Sequence, residues 1–381
     1  MKVLIVTDFF YPHWTGVSKS IFNATQALSA EFDFTVLTVR YKKDLSSTEN
    51  LNGVKVIRTN PLFSFSRAKY SLALVFQAIS LIKNNQTVVI NSPCTNVLLI
   101  AILTKLFNKK LLVFHQGDLI LPQGFVNRLI EKVFDFCTRL SCTLADKVST
   151  YTNDYAQHSR VLKSFLAKLE PIIWPLPEFK KSNLTKQHIL KTKVSVQMQK
   201  IKKNKVTVFG FAGRFVEEKG FDVLFKAIAQ PELSQKNYHF VFAGETDVGY
   251  EQTFTKNLPR INEIKNRVTF LGLLSGDELL SFYQSIDCFI LCSRSECFAL
   301  VQPESMVQKK PVIAPDIPGA RQVVKQTKFG WLFKSQDEKN LAKTIIKAAE
   351  NLSSVQSNYC LVKKMFNYEK LSQKAEDFIK N

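Results

Sequence analysis

The segment Gly213-Arg214-Phe215-Val216-Glu217-Glu218-Lys219-Gly220 directly follows the apolar run Val206 to Phe211. Arg214 offers a planar fork of donors and Lys219 a compact point charge, a pairing suited to a diphosphate at the end of a strand. The other reading is a surface pair that answers Glu217 and Glu218.

A second group, Ser293-Arg294-Ser295-Glu296-Cys297-Phe298-Ala299-Leu300-Val301-Gln302-Pro303-Glu304, follows the run Cys288 to Leu291. Glu296 and Glu304 straddle a loop and the start of a helix, so both can serve one site from different depths. A carboxylate accepts from the two vicinal hydroxyls of a ribose. The N-H groups near Ala299 and Leu300 open the helix and can meet a phosphate oxygen. Two glutamates in a helical segment are common, so the spacing alone decides nothing.

A third feature is Tyr11-Pro12-His13-Trp14-Thr15-Gly16-Val17 after the first strand-like run. Gly16 lets backbone approach a phosphate closely, although a glycine before a helix also makes a plain turn. No Gly-x-Gly-x-x-Gly and no Walker-type Gly-Lys-Ser/Thr occurs, which argues against dehydrogenase and P-loop readings.

The elements that must position these groups show as alternation. Short β-branched or aromatic runs, such as Val3 to Val6, Phe34 to Val39, Val88 to Ile90 and Leu111 to Phe114, alternate with stretches of helical period. Val17, Ile21, Ala24 and Leu28 share one helix face, and the pattern recurs at Leu72 to Ile82 and Phe125 to Phe136. The second half repeats it, with runs at Val206 to Phe211, His239 to Phe242, Val268 to Leu271, Cys288 to Leu291 and Pro311 to Ile313. Alternation of this kind predicts parallel sheets wrapped by helices, and 381 residues predict two such domains. Between Lys180 and Lys205 stand nine lysines and no acid, after the proline-punctuated Pro171 to Pro177. The expected division is therefore 1–170, a basic linker 171–204, a second domain 205–365 and a last helix 366–381.

The chain carries 52 Lys and Arg against 32 Asp and Glu, a net charge of +20. Such a field attracts polyanions: nucleic acid, an anionic membrane surface or phosphorylated small molecules. No RNA-recognition or zinc motif accompanies the charge, so nucleic acid is not an expected partner. Seven cysteines without Cys-x-x-Cys spacing read as reduced thiols. No signal peptide follows Met1, and the apolar runs at Leu72 to Ile82 and Val97 to Leu103 are too short to span a bilayer. They read as buried helices, and the expected location is cytoplasmic, with any membrane contact peripheral on the inner face.

Together, in order, the motifs carry a resemblance. Gly-Arg-x4-Lys-Gly followed about 76 residues later by Glu-x-Phe-x-Leu-Val-x-x-Glu is similar to the retaining glycosyltransferases of family 4, which have the GT-B fold: two doubly wound Rossmann-like domains facing a central cleft. Gly16, His115-Gln116-Gly117-Asp118, Leu271-Gly272 and Pro311-Val312-Ile313-Ala314 extend it through nearly the whole chain.

The resemblance implies roles. Arg214 and Lys219 match the pair that neutralises the donor diphosphate, Glu304 the ribose-binding glutamate, and Glu296 the glutamate at the donor sugar. Leu300 and Phe298, flanking Ala299, match the turn whose backbone meets phosphate and sugar, and Leu274 the backbone contact to the base. His115 matches a histidine beside the donor sugar in the N-terminal domain, and Gly16 its phosphate-side loop. The implied donor is a nucleotide-diphosphate sugar and the implied acceptor a hydroxyl of a glycan or lipid-linked molecule, in cell-surface polysaccharide or glycolipid synthesis. With no Asp-x-Asp present, no cofactor and no essential metal are expected.

The chain departs from the family in having Thr15 and Ala299 at positions often held by Gly, and Gln322 where Glu is usual. An epimerase or phosphorylase of the same fold is the alternative enzyme reading.

Overall fold

The computed structural model describes residues 1–65, 68–121, 124–176, 192–246, 254 and 257–381. Contacts divide the chain into two units, Met1–Pro177 together with Tyr368–Asn381, and Glu178–Asn367.

In the first unit the strands are β1 (Lys2–Val6), β2 (Asp33–Val39), β3 (Thr48–Leu51), β4 (Val54–Thr59), β5 (Phe63–Phe65), β6 (Ala68–Tyr70), β7 (Thr87–Ser92), β8 (Lys110–His115) and β9 (Lys147–Ser149). Seven of them form a sheet in the order β3-β4-β2-β1-β7-β8-β9, while β5 and β6 pair as a separate hairpin. All neighbours in the sheet run parallel except β3, which pairs antiparallel with β4. Thr-Val-Val-Ile-Asn-Ser of β7 is buried throughout, as a central parallel strand covered on both faces must be.

The second unit has β10 (Thr207–Ala212), β11 (Tyr238–Ala243), β12 (Val268–Gly272), β13 (Cys288–Ile290), β14 (Val312–Pro315) and β15 (Gly330–Phe333) in the order β12-β11-β10-β13-β14-β15, all parallel. Its core is rich in phenylalanine. Phe211, Phe215, Phe221 and Phe242 are almost completely buried, with ring centroids 5.0 to 6.2 Å apart along the chain of contacts. Each such side chain contributes about 1.5–3 kcal/mol by leaving water. Together they make a rigid floor under the loops that follow β10 and β13.

Each sheet has a point where the strand order reverses. It falls between β1 and β7 in the first unit and between β10 and β13 in the second. Loops leaving adjacent strands there run in opposite directions and open a crevice at the strand ends.

The middle of the expected basic linker, 177–191, lies outside the described residues. Its last part is the helix Lys193–Lys202, started by Thr192, whose hydroxyl accepts from the Ser195 N-H. That helix buries Val194 and Met198 and packs on helix Gly276–Ser285 of the second unit. The last helix, Tyr368–Lys380, packs into the first unit. Leu371, Ala375, Phe378 and Ile379 are buried, and Lys110 Nζ donates to the Ile379 carbonyl at 3.0 Å.

One expectation about burial needs correction. Helices Leu72–Asn84 and Val97–Leu106 stand at the apolar runs, but each is buried on one side only: Leu72, Phe76, Leu99 and Ile102 are exposed. All seven cysteines are free, six of them at least partly buried.

Candidate functional site

Arg214 leaves the end of β10, and its neighbour Phe215 is fully buried in the aromatic core. The backbone is tied on both sides of it. Gly213 N-H donates to the Ala243 carbonyl and Phe215 N-H to that of Glu245. A single turn, Glu217–Lys219, then brings Lys219 forward before helix Phe221–Ile228 begins. Gly220 between them has φ +63°, and a Cβ there would stand 2.0 Å from the Cys292 carbonyl oxygen. Only glycine allows this turn to lie so close to the loop after β13.

That loop carries Glu296. Lys219 Nζ donates to Glu296 Oε1 at 2.6 Å, and Ser293 Oγ donates to the same oxygen at 2.7 Å. The Lys219 and Glu296 side chains are 22% and 11% exposed, sheltered but open to a ligand. Burial pulls the Lys219 ammonium down, but the charges of Glu296 and Glu218 and the bond to Glu296 outweigh it, so the net shift is upward. Lys219 is therefore a firmly held cation. Arg214 is near enough to add an opposing effect on it, which places the two cations in one electrostatic field.

Two residues that the motifs did not single out hold this arrangement. Arg294 makes a two-pronged contact with Asp222, both bonds 2.8 Å, and its N-H donates to the Glu218 carbonyl at 2.8 Å. The β13 loop is thereby clamped to the β10 loop. Gly319, with φ +81°, passes so near that a Cβ would stand 2.3 Å from the Glu296 carbonyl oxygen.

Beyond Glu296 the chain turns through Phe298, Ala299 and Leu300 into helix Val301–Val307. The Phe298 side chain is buried, so only its backbone is available to a ligand. Ala299 has φ +59°, a conformation that costs an alanine about 1 kcal/mol and glycine nothing. Leu300 caps the helix, and its carbonyl accepts from the Glu304 N-H. Glu304 is 9% exposed and accepts from Tyr283 Oη at 2.9 Å through Oε2. Leu274 follows β12, which is separated from β10 by β11, and is half-buried. Arg214, Lys219, Glu296 and Glu304 thus come from β10 and β13, the two strands that flank the reversal of strand order.

The first unit has its own reversal, with different contents. Gly16 opens helix Gly16–Ala27, which Thr15 caps: Thr15 Oγ1 accepts from Ser18 N-H at 3.1 Å and Thr15 N-H donates to Ser18 Oγ at 2.8 Å. A Cβ on Gly16 would meet nothing within 4 Å, so packing within the chain does not demand glycine.

His115, at the end of β8, is completely buried. Its Nδ1 pairs with Ser92 Oγ at 3.1 Å and its Nε2 with Asp118 Oδ1 at 3.0 Å. Both ring nitrogens are thus engaged in holding the loop, and contact with a sugar would first require one bond to open. Asp118 also accepts from Ser159 Oγ and Arg160 N-H, each at 2.7 Å. Burial raises its pKa, but the bond and charge of His115 and these further donors win, and the carboxyl falls to about 2. Asp8, after β1, accepts from Thr95 N-H at 2.9 Å and Thr95 Oγ1 at 3.1 Å across the reversal. Its burial dominates and lifts it to about 6. Nothing in the spacing of the sequence marks Asp8, because Thr95 lies 87 residues away.

Comparison with known proteins gives a match over part of the chain. Residues 194–359 match the family described as Glycosyl transferases group 1. An uncharacterized glycosyltransferase of Methanocaldococcus jannaschii is 29% identical over 124 residues, 32% of this chain and 31% of that protein. The D-inositol 3-phosphate glycosyltransferase of Stackebrandtia nassauensis is 31% identical over 146 residues, 37% of this chain and 33% of that protein. These matches thus span about a third of the length of the curated relatives. Likeness of fold extends much further. Sucrose-phosphate synthase from Thermosynechococcus elongatus superposes with a TM-score of 0.76 at 17% identity, covering 99% of this chain and 98% of that one. Anabaena HepE in complex with UDP-glucose gives 0.75 at 18% identity, covering 99% of both. At such identities the likeness shows the fold, and that fold is GT-B.

Proposed function

We propose, from the match of residues 194–359 to the glycosyl transferases group 1 family, that the protein moves a sugar from a nucleotide-diphosphate sugar to an acceptor hydroxyl with retention at the anomeric carbon, as in family 4. The observation that carries this reading is the Lys219–Glu296 pair at 2.6 Å, in the field of Arg214 and on the same segment after β13 as Glu304, at the reversal of the β10–β13 sheet.

In this reading the bond between the anomeric carbon and the diphosphate oxygen breaks, and the diphosphate leaves as an anion. Lys219 and Arg214 meet that growing negative charge. Glu296, held by Lys219 and Ser293, faces the positive charge that grows on the anomeric carbon. The acceptor hydroxyl attacks from the face the diphosphate leaves, and its proton passes to the departing phosphate oxygen. Glu304, oriented by Tyr283, accepts from the ribose hydroxyls. The backbone of Phe298, Ala299 and Leu300 meets sugar and phosphate, and that of Leu274 meets the base. Gly16 serves as the phosphate-side loop of the first unit. His115 acts there through the loop that it holds, and it reaches the donor sugar when that loop opens.

Arg214 and Lys219 supply the charge that a divalent ion would otherwise bring, so the reaction proceeds in EDTA. The acceptor is a glycan or lipid-linked hydroxyl in surface polysaccharide or glycolipid synthesis, and the enzyme works in the cytoplasm. The Anabaena complex with UDP-glucose makes UDP-sugars the first donors to try. Calorimetry of the protein with UDP, GDP and ADP, followed by measurement of nucleoside diphosphate released from the matching sugar donors, tests the reading. One diphosphate should bind and its sugar donor should be cleaved. Absence of binding to all three would overturn it, and a product that retains the nucleotide but has an inverted sugar centre would assign an epimerase.

A further inference from the structure

Helix Phe125–Leu144 is built the wrong way round for one that covers a sheet. Its buried positions are Asp135, Thr138, Ser141 and Cys142. Its exposed positions include Phe125, Leu129, Val133, Phe136 and Leu140, with Phe125 and Phe136 85% and 60% exposed. Spacings of three and four put these on one face. The charges are sorted as well. Every charged residue exposed on this helix is a cation: Arg128, Lys132 and Arg139. Its two acids, Glu131 and Asp135, turn toward Arg160, at 3.8 and 2.7 Å.

The helices beside it continue the surface. The crossovers that enter β7, β8 and β9 all run the same way across the sheet, so right-handed connections place helices Leu72–Asn84, Val97–Leu106 and Phe125–Leu144 on one face. They pack side by side in that order. Leu99, Ile102 and Leu106 are exposed on the middle helix and Phe76 on the first. The first helix contains no acid, and Lys105 of the second pairs with the rim residue Asp146 at 2.6 Å. An apolar surface of this extent marks an interaction site.

Charge chooses the occupant. A second copy docked face to face would press Arg128, Lys132 and Arg139 against their own equivalents. A bilayer with anionic headgroups offers an apolar phase for the rings and opposite charge for the cations. Among the described residues no helix is long and apolar enough to cross a membrane, so contact would lie in the interfacial plane. We propose that the outer face of these three helices docks on an anionic lipid bilayer, with Phe125, Leu129 and Phe136 entering the acyl boundary and Arg128, Lys132 and Arg139 meeting headgroup phosphates. The proposal rests on the first unit alone and stands apart from the donor chemistry of the second.

Co-sedimentation of the full chain with vesicles tests it. At low salt the protein should bind phosphatidylglycerol-rich vesicles at least about tenfold more tightly than pure phosphatidylcholine vesicles. The double variant Leu129→Glu, Phe136→Glu should lose at least about tenfold of that binding, while Leu273→Glu, an exposed leucine of the second unit, keeps it. Both side chains are exposed, so the melting temperature should stay within ~2 °C of the parent. Nucleoside diphosphate binding by the same variant reports separately on the second unit. No binding to the anionic vesicles, or equal binding by parent and double variant, overturns the proposal. A dimer in light scattering that the double variant dissolves would assign the face to a second copy and overturn it as well.

Discussion

Lys219 and Glu296 stand 77 positions apart in the chain and 2.6 Å apart in space, joined where the loops of two adjacent parallel strands meet. The pair keeps the ammonium charged and the carboxylate aimed before any ligand arrives. Lys219→Ala should therefore weaken donor binding and lower turnover together. Glu296→Ala should lower kcat by about 100-fold or more while changing donor affinity less. Steady-state kinetics with calorimetric donor binding separates the two effects, and equal losses of donor affinity alone in both variants would contradict this division.

Glu304 and Tyr283 make a second prepared contact, at 2.9 Å. Glu304→Ala should raise the nucleoside diphosphate Kd by about 10- to 100-fold, the range for a hydrogen bond to a charged group. Tyr283→Phe removes only the orienting bond and should cost about tenfold or less. A larger loss from Tyr283→Phe than from Glu304→Ala would place the nucleoside elsewhere.

Arg294 acts through other residues. Its fork holds Asp222 at 2.8 Å twice, and Lys cannot reproduce that geometry. Arg294→Lys should lower kcat with little change in donor Kd, because Glu296 loses its alignment while the cations stay. Kinetics that match the parent would show that Ser293 and Lys219 alone position Glu296.

Asp8 gives the first unit a pH signature. Its pKa is about 6 in the folded chain against 3.8 for a free side chain. The native state thus holds the proton more tightly than the unfolded state, and stability falls as pH rises from about 4 to about 6. Asp8→Asn keeps an acceptor for Thr95 N-H without the buried charge. It should be more stable than the parent by ~1–3 kcal/mol at pH 7.5, with the difference vanishing below pH 4. Denaturant titrations at the two pH values check both halves of this statement.

Backbone at the Glu296 loop provides the last pair. Ala299→Gly relieves φ +59° and should leave stability equal or up to about 1 kcal/mol higher. Gly319→Ala should push the loop away and lower both melting temperature and turnover, since its Cβ would meet two carbonyl oxygens.

Much of this architecture is readable from order along the chain. The alternating runs locate the central strands of both sheets, and the four charged residues follow β10 and β13, so their crevice is foreseeable. What is not readable depends on contacts between distant segments. Thr-Glu-Asn-Leu of β3 is too polar, and Gly-Trp-Leu-Phe of β15, a half-buried edge strand, has no β-branched residue, so neither is recognised without the strands that they pair with. Tyr283, Arg294 and Asp8 matter through partners 21, 72 and 87 residues away. The helical period at Phe125 to Phe136 is real, but period alone does not say which face is buried. Here the polar face points inward, because Arg160 awaits Glu131 and Asp135 there.

The helix Tyr368–Lys380 belongs to the unit in which the chain begins, although the whole second unit intervenes. During synthesis the second unit can therefore be complete while the first still lacks a wall over Lys110 and Phe32. Maturation then runs backward along the message. The unit made first is finished last, and a released chain ending at Asn367 should show a folded second unit and a first unit open to proteases.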